Sequence, residues 1–152
     1  MTLPILSMKQ SVGRILPTVL VTAALLACAQ ATPAVDADLA SPAKQFLQAS
    51  QFSIGLVGFA GKISAEETAM RQLARSREAE TQFFAVLEDP SATTEGKLYA
   101  TCGLKLIGSK RFLLASQMLQ KGGGAYSTMH GDILKKQDVR IALNHIEESK
   151  CK

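Results

Sequence analysis

Apolar residues along this chain fall into blocks, and most blocks repeat with a helical period. The first block differs. Residues 15–27 form an apolar run of 13 positions, preceded by Lys9 and Arg14 and by no acid; the first charge after it is Asp36. Beyond it, Ser41-Pro42 reads as a helix start. Phe46, Leu47, Ser50, Ile54 and Val57 follow near helical spacing. The pattern predicts a helix to about Phe59; Gly55, Gly58 and Gly61 leave an extended apolar segment as the other form of its second half. Ser64-Ala65-Glu66-Glu67 is a capping box, opening a helix to about Arg75 with Ala69, Met70, Leu73 and Ala74 inward and Glu67 and Arg71 in favourable i, i+4 order. A third helix is expected over 78–88 with Phe83, Phe84, Val86 and Leu87 inward, stopped at Asp89-Pro90. Thr93 or Thr94 caps a fourth over 95–107, carrying Leu98, Tyr99, Cys102 and Leu106, and Gly108 ends it. A fifth is expected over 111–120, closed by Gly122-Gly123-Gly124. Residues 125–137 lack a helical period and read as an ordered, extended loop. Asp138 caps a last helix over 139–148, with Ile141, Ala142 and Ile146 buried.

No strand pair with hairpin signals stands out, so the fold class is read as all-α, a compact domain of five or six short helices. The hairpin around Asp89-Pro90, ending at Gly108, is similar to one unit of a HEAT-type helical repeat. No second copy follows at a fixed period, and solenoids need about three.

The length of 152 residues leaves room for one folded domain, and 47% hydrophobic with 20% charged residues excludes a disordered polyelectrolyte. The first block has the length of a signal-peptide apolar core and is short of the ~20 residues that span a bilayer. Residues 1–27 are therefore read as a signal peptide, 28–40 as a tether without an apolar period, and 41–152 as the helical domain. Leu25-Leu26-Ala27-Cys28 resembles the lipobox of bacterial lipoproteins. That likeness implies lipidation of Cys28 and, with Ala29 next, an outer-membrane anchor facing the periplasm. Ala29-Gln30-Ala31 offers an ordinary small-x-small cut instead, leaving a soluble periplasmic or secreted chain.

Losing the leader removes Lys9 and Arg14, so the formal charge of +4 falls to +2. That weakens the electrostatic case for nucleic acid, and none is expected as a partner. Of the three cysteines, Cys102 and Cys151 remain past the leader. An even pair in an oxidising compartment predicts one bridge between them; two free thiols are the other state.

Gly96-Lys97-Leu98-Tyr99-Ala100-Thr101-Cys102-Gly103-Leu104 with Ser127-Thr128-Met129-His130-Gly131 resembles a pattern in small exported helical bacterial proteins. There a second cysteine follows the Gly131 position, where this chain has Asp132. The resemblance implies a fold and no chemistry.

The chain has two histidines, His130 and His145. His130 beside Asp132 supplies two metal-ligand types where zinc takes three or four, so no metal and no cofactor is expected. Cys102 on an apolar stripe reads as structural rather than as a nucleophile. Gly122-Gly123-Gly124 lacks the following Lys-Ser/Thr of a phosphate loop. The polar segment from Tyr126 to Asp132, with Ser127 and His130, is the candidate contact site; the other reading has Tyr126 and Met129 plugging the core. Arg71 and Arg75 share a helix face that could meet an anionic partner. The expected function is a non-enzymatic envelope protein that binds another protein in an inhibitor, adaptor or immunity-type role. The alternative is a small-ligand binder or enzyme using His130 and Asp132.

Overall fold

The computed structural model describes residues 39–58, 60–149 and 151. The expected leader at 1–27, Cys28 and all but the last two residues of the expected 28–40 tether lie outside the described residues.

Six helices and one two-stranded antiparallel sheet make up the described chain: α1 Ser41–Leu47, α2 Ala65–Leu73, α3 Ala79–Glu88, α4 Thr94–Leu106, α5 Phe112–Gly122, β1 Ala125–His130, β2 Ile133–Asp138 and α6 Val139–Ser149. The all-α expectation is therefore wrong, because residues 125–138 form a β-hairpin. The fold is mixed, with a small sheet on a helical body.

Local capping explains where three of the six helices begin. Ser64 Oγ accepts from the Glu67 amide at 3.0 Å and starts α2. Thr93 Oγ1 accepts from the Gly96 amide at 3.0 Å and starts α4. Asp138 Oδ1 accepts from the Arg140 amide at 2.8 Å at the start of α6. Each cap satisfies a donor that the first helical turn leaves without a partner.

The first helix is shorter than its sequence pattern predicts. It stops at Leu47, and residues 48–63 run as an irregular segment with one isolated bridge between Val57 and Lys62. Gly55, Gly58 and Gly61 sit at φ +89°, +70° and +57°, which breaks any helix there. The segment is still anchored, with Phe52 and Ser53 buried.

Helix α4 is the hub. It packs against α1, α2, α3, α5, α6 and β1, and buries every residue from Leu98 to Leu104. Phe46, Phe52 and Tyr99 form a chain of tilted and edge-on rings with centroids 4.9–6.2 Å apart, extended by Phe83 against Phe46 and Tyr126 against Phe52. Such contacts add to the area that the aromatic side chains bury. The expected bridge is present: Cys102 in α4 and Cys151 past α6 are joined, with Cα atoms 5.7 Å apart.

Candidate functional site

Two polar arrangements stand out from this frame. One is internal. The Tyr99 hydroxyl donates to the Ser53 carbonyl at 3.1 Å, accepts from the Ser53 amide at 3.2 Å, and meets Ser64 Oγ at 3.2 Å. Burial raises the Tyr99 hydroxyl above the usual tyrosine range, with the Ser64 and Ser53 hydrogen bonds working against that rise. Next to it lies Glu67, fully buried. Its carboxylate accepts from the Gly55 amide at 2.7 Å and from Arg71 Nε at 2.7 Å, and Arg71 Nη2 reaches the Cys151 carbonyl at 3.3 Å. The capping-box expectation holds only in its first half: Ser64 caps the helix, but the Glu67 side chain turns inward to Gly55 and Arg71. This network pins the 53–55 segment and the C-terminal turn to α2 and α4. Every polar group named in it has a partner, as a structural network requires.

Its contribution is measurable. Tyr99→Phe removes one hydroxyl and deprives the buried Ser53 amide and carbonyl of their shared partner. Leaving buried groups unsatisfied is expected to lower stability by about 2 kcal/mol. Urea unfolding should show a lower midpoint at unchanged slope. A loss below about 0.5 kcal/mol would mean that water replaces the hydroxyl.

The other arrangement is the hairpin. Tyr126 and Thr128 point inward on alternate residues of β1, while β2 is exposed from Ile133 to Lys136. Gly131 and Asp132 form the two-residue turn, with His130 paired to Ile133. Gly131 has φ +59° and Asp132 does not share that region, the φ pattern of a type II′ turn. The Tyr126 hydroxyl donates to Gln137 Oε1 at 2.9 Å across the strands, and burial raises its pKa. The body holds β1 along its outer edge. The Phe52 amide donates to the Ser127 carbonyl at 2.7 Å, Glu95 Oε1 accepts from the Ser127 amide at 2.7 Å, and Ser53 Oγ accepts from the Met129 amide at 3.2 Å.

The structure thus divides the sequence candidates. Tyr126 is buried and Ser127 half-buried, tying the hairpin to the body, whereas His130 and Asp132 lie exposed at its tip. Arg71 is turned inward to Glu67 and the Cys151 carbonyl, while Arg75 is exposed, so the two do not act as one cationic face. Cys102 is in the disulfide, and His145 is exposed on α6. Among the described residues no three or more of His, Cys, Asp and Glu gather as a metal site. A cleft of about 210 Å³ lies between Leu87, Lys97, Met118 and Val139, and another of about 360 Å³ between Pro42, Leu73, Arg77 and Gln82; the second is within the ~300–1,000 Å³ range of ligand pockets, but none of the sequence candidates lines it. Sequence reasoning missed Ile133 and Leu134, which are 63% and 59% exposed. Their signal was an Ile-Leu pair directly after Gly-Asp. Comparison with known proteins finds no matching family model, no matching curated protein and no matching solved structure.

Proposed function

We propose that this chain is an exported, non-enzymatic binding protein of the bacterial envelope, anchored through a lipid on Cys28, whose hairpin docks a partner protein. The observation that carries the reading is β2: a strand exposed from Ile133 to Lys136, with two large aliphatic side chains turned to solvent. Exposed apolar side chains grouped on one projecting element are what contact surfaces use. The leader at residues 1–27 and the Cys102–Cys151 bridge support an oxidising compartment.

Site-specific cross-linking tests this. A photoreactive residue at position 133 of the full chain, expressed in its native envelope, should give a discrete adduct. The same residue at the exposed position 81 on α3, a helix with no large aliphatic side chain turned to solvent, should not. Identical adducts from both positions, or none from 133, would sink the proposal. Intact mass should show a diacyl or triacyl group on Cys28. An N-terminus at Thr32 would remove the anchor and leave the docking element to be judged by cross-linking alone.

A further inference from the structure

The hairpin register fixes which backbone groups face outward. With His130 opposite Ile133 across a two-residue turn, these two residues exchange ladder hydrogen bonds, as do Thr128 with Lys135 and Tyr126 with Gln137. The residues between them, Ser127 and Met129 on β1 and Leu134 and Lys136 on β2, turn their amides and carbonyls away from the partner strand. On β1 those outward groups are taken by Phe52, Glu95 and Ser53. On β2, among the described residues, nothing takes those of Leu134 or Lys136.

That edge has side-chain character as well. Lys135 and Lys136 are adjacent, so they stand on opposite faces of the strand, as do Ile133 and Leu134. No acid lies between Ile133 and Gln137. Asp138, at the far end, is held by Arg140 at 2.7 and 2.9 Å, which draws its carboxyl down to about 2. A second copy of the chain fits this edge poorly. The two longest antiparallel registers that bring the outward groups of two β2 strands together set Lys135 against Lys135 or Lys136 against Lys136. Like charges directly opposite each other destabilise a strand pair. Edge lysines guard a sheet against copies of itself, and the same charges favour an acidic strand.

We propose that the outer edge of β2 takes an extended, acidic segment of a partner protein as the third strand of this sheet, an inference that rests on the partner-binding reading above. The amides and carbonyls of Leu134 and Lys136 supply the ladder, Lys135 and Lys136 select carboxylates on either face, and Ile133 and Leu134 give the apolar contacts. Strand addition of this kind draws affinity from the main chain and specificity from alternate side chains. An anionic bilayer could meet the lysines and aliphatics, but it offers no ladder for the outward amides.

The test uses the full chain carrying Cys28→Ser, so that no lipid contributes to binding. The probes are a synthetic peptide of repeated Val-Val-Glu-Glu, which as a strand carries carboxylates and apolar side chains on both faces, its lysine counterpart, and phosphatidylglycerol vesicles. The acidic peptide is expected to slow amide exchange at Leu134 and Lys136 and to bind at least about tenfold tighter than the lysine peptide. Lys136→Pro removes an outward donor without touching the pairing to β1, and should weaken binding about tenfold. Lys135→Gln with Lys136→Gln should do the same while keeping every amide, which covers the case in which the proline variant misfolds. Equal binding of the two peptides overturns the proposal. So does lysine-dependent vesicle binding with no protection of those amides, which would assign the surface to lipid. A cross-link from position 133 with unprotected edge amides would leave the docking reading standing and strand addition refuted. Loss of the cross-link would remove both.

Discussion

Removing the Cys102–Cys151 bridge is expected to cost about 4 kcal/mol of stability. The two cysteines lie 49 positions apart, so the bridge closes a loop that holds the C-terminal half of α4, all of α5, the hairpin and α6. Opening it restores the loop-closure entropy of the unfolded chain. It also releases the Cys151 turn, whose carbonyl is held by Arg71, and Cys151 itself, which sits at φ +56°. A non-glycine residue holds that conformation at a cost of about 1–2 kcal/mol. The double variant Cys102→Ala, Cys151→Ala avoids burying a new hydroxyl where Cys102 is fully enclosed. Thermal unfolding should fall by about 15–20 °C for a domain of this size, and the reduced chain with both thiols left free should match it. If the reduced chain stays within about 1 kcal/mol of the oxidised one, the loop is already ordered in the unfolded state and the entropic account fails.

Gly96→Ala should come next, at about 2–3 kcal/mol, even though alanine is the better helix former by about 1 kcal/mol. A Cβ at Gly96 would lie 2.4 Å from the Leu47 carbonyl oxygen and 2.6 Å from that of Phe46. Both oxygens belong to the end of α1, so relief requires moving one helix off another. Gly103→Ala meets a different obstacle. Its Cβ would lie 2.2 Å from the Phe83 ring, which is fully buried and must find a new rotamer in a filled core. Gly122→Ala is the control, since it sits in α5 with nothing within 4 Å of the added carbon. It should be neutral or mildly stabilising. If Gly96→Ala and Gly122→Ala shift the urea midpoint alike, the close approach of α1 to α4 is not real.

These two glycines also show what the sequence could and could not reveal. Gly96 and Gly103 both stand inside α4, and nothing local distinguishes a glycine that admits a neighbour from one that weakens a helix. The caps at Ser64 and Thr93 were legible because donor and acceptor lie three residues apart. The Cys102–Cys151 pairing was legible once Cys28 is assigned to the expected leader and anchor, because the two cysteines left permit one connectivity. The inward turn of Glu67 was not, since its partners Gly55 and Arg71 and the Cys151 carbonyl beyond come together only in the fold. The hairpin is the instructive miss. Gly131-Asp132 is a type II′ turn signal in its own right. The flanking Ile133-Leu134-Lys135-Lys136 lacks apolar–polar alternation because the strand buries neither face. A strand read through its buried face is invisible when it has none. The candidate contact segment was drawn to end at Asp132, one residue short of the exposed aliphatics.

The ties along β1 carry a consequence for how this domain breathes. Among the described residues, every hydrogen bond that holds β1 to the body comes from Phe52, Ser53 or Glu95. Phe52 and Ser53 belong to an irregular segment, with positive-φ glycines at Gly55, Gly58 and Gly61 just beyond. If that segment lifts, the hairpin loses three of its four ties at once: Phe52 to Ser127, and Ser53 Oγ to Thr128 and Met129. The 48–63 segment and the hairpin therefore form one cooperative opening unit, although about sixty residues of chain separate them. The helices gathered around α4 and the disulfide can remain closed beneath it.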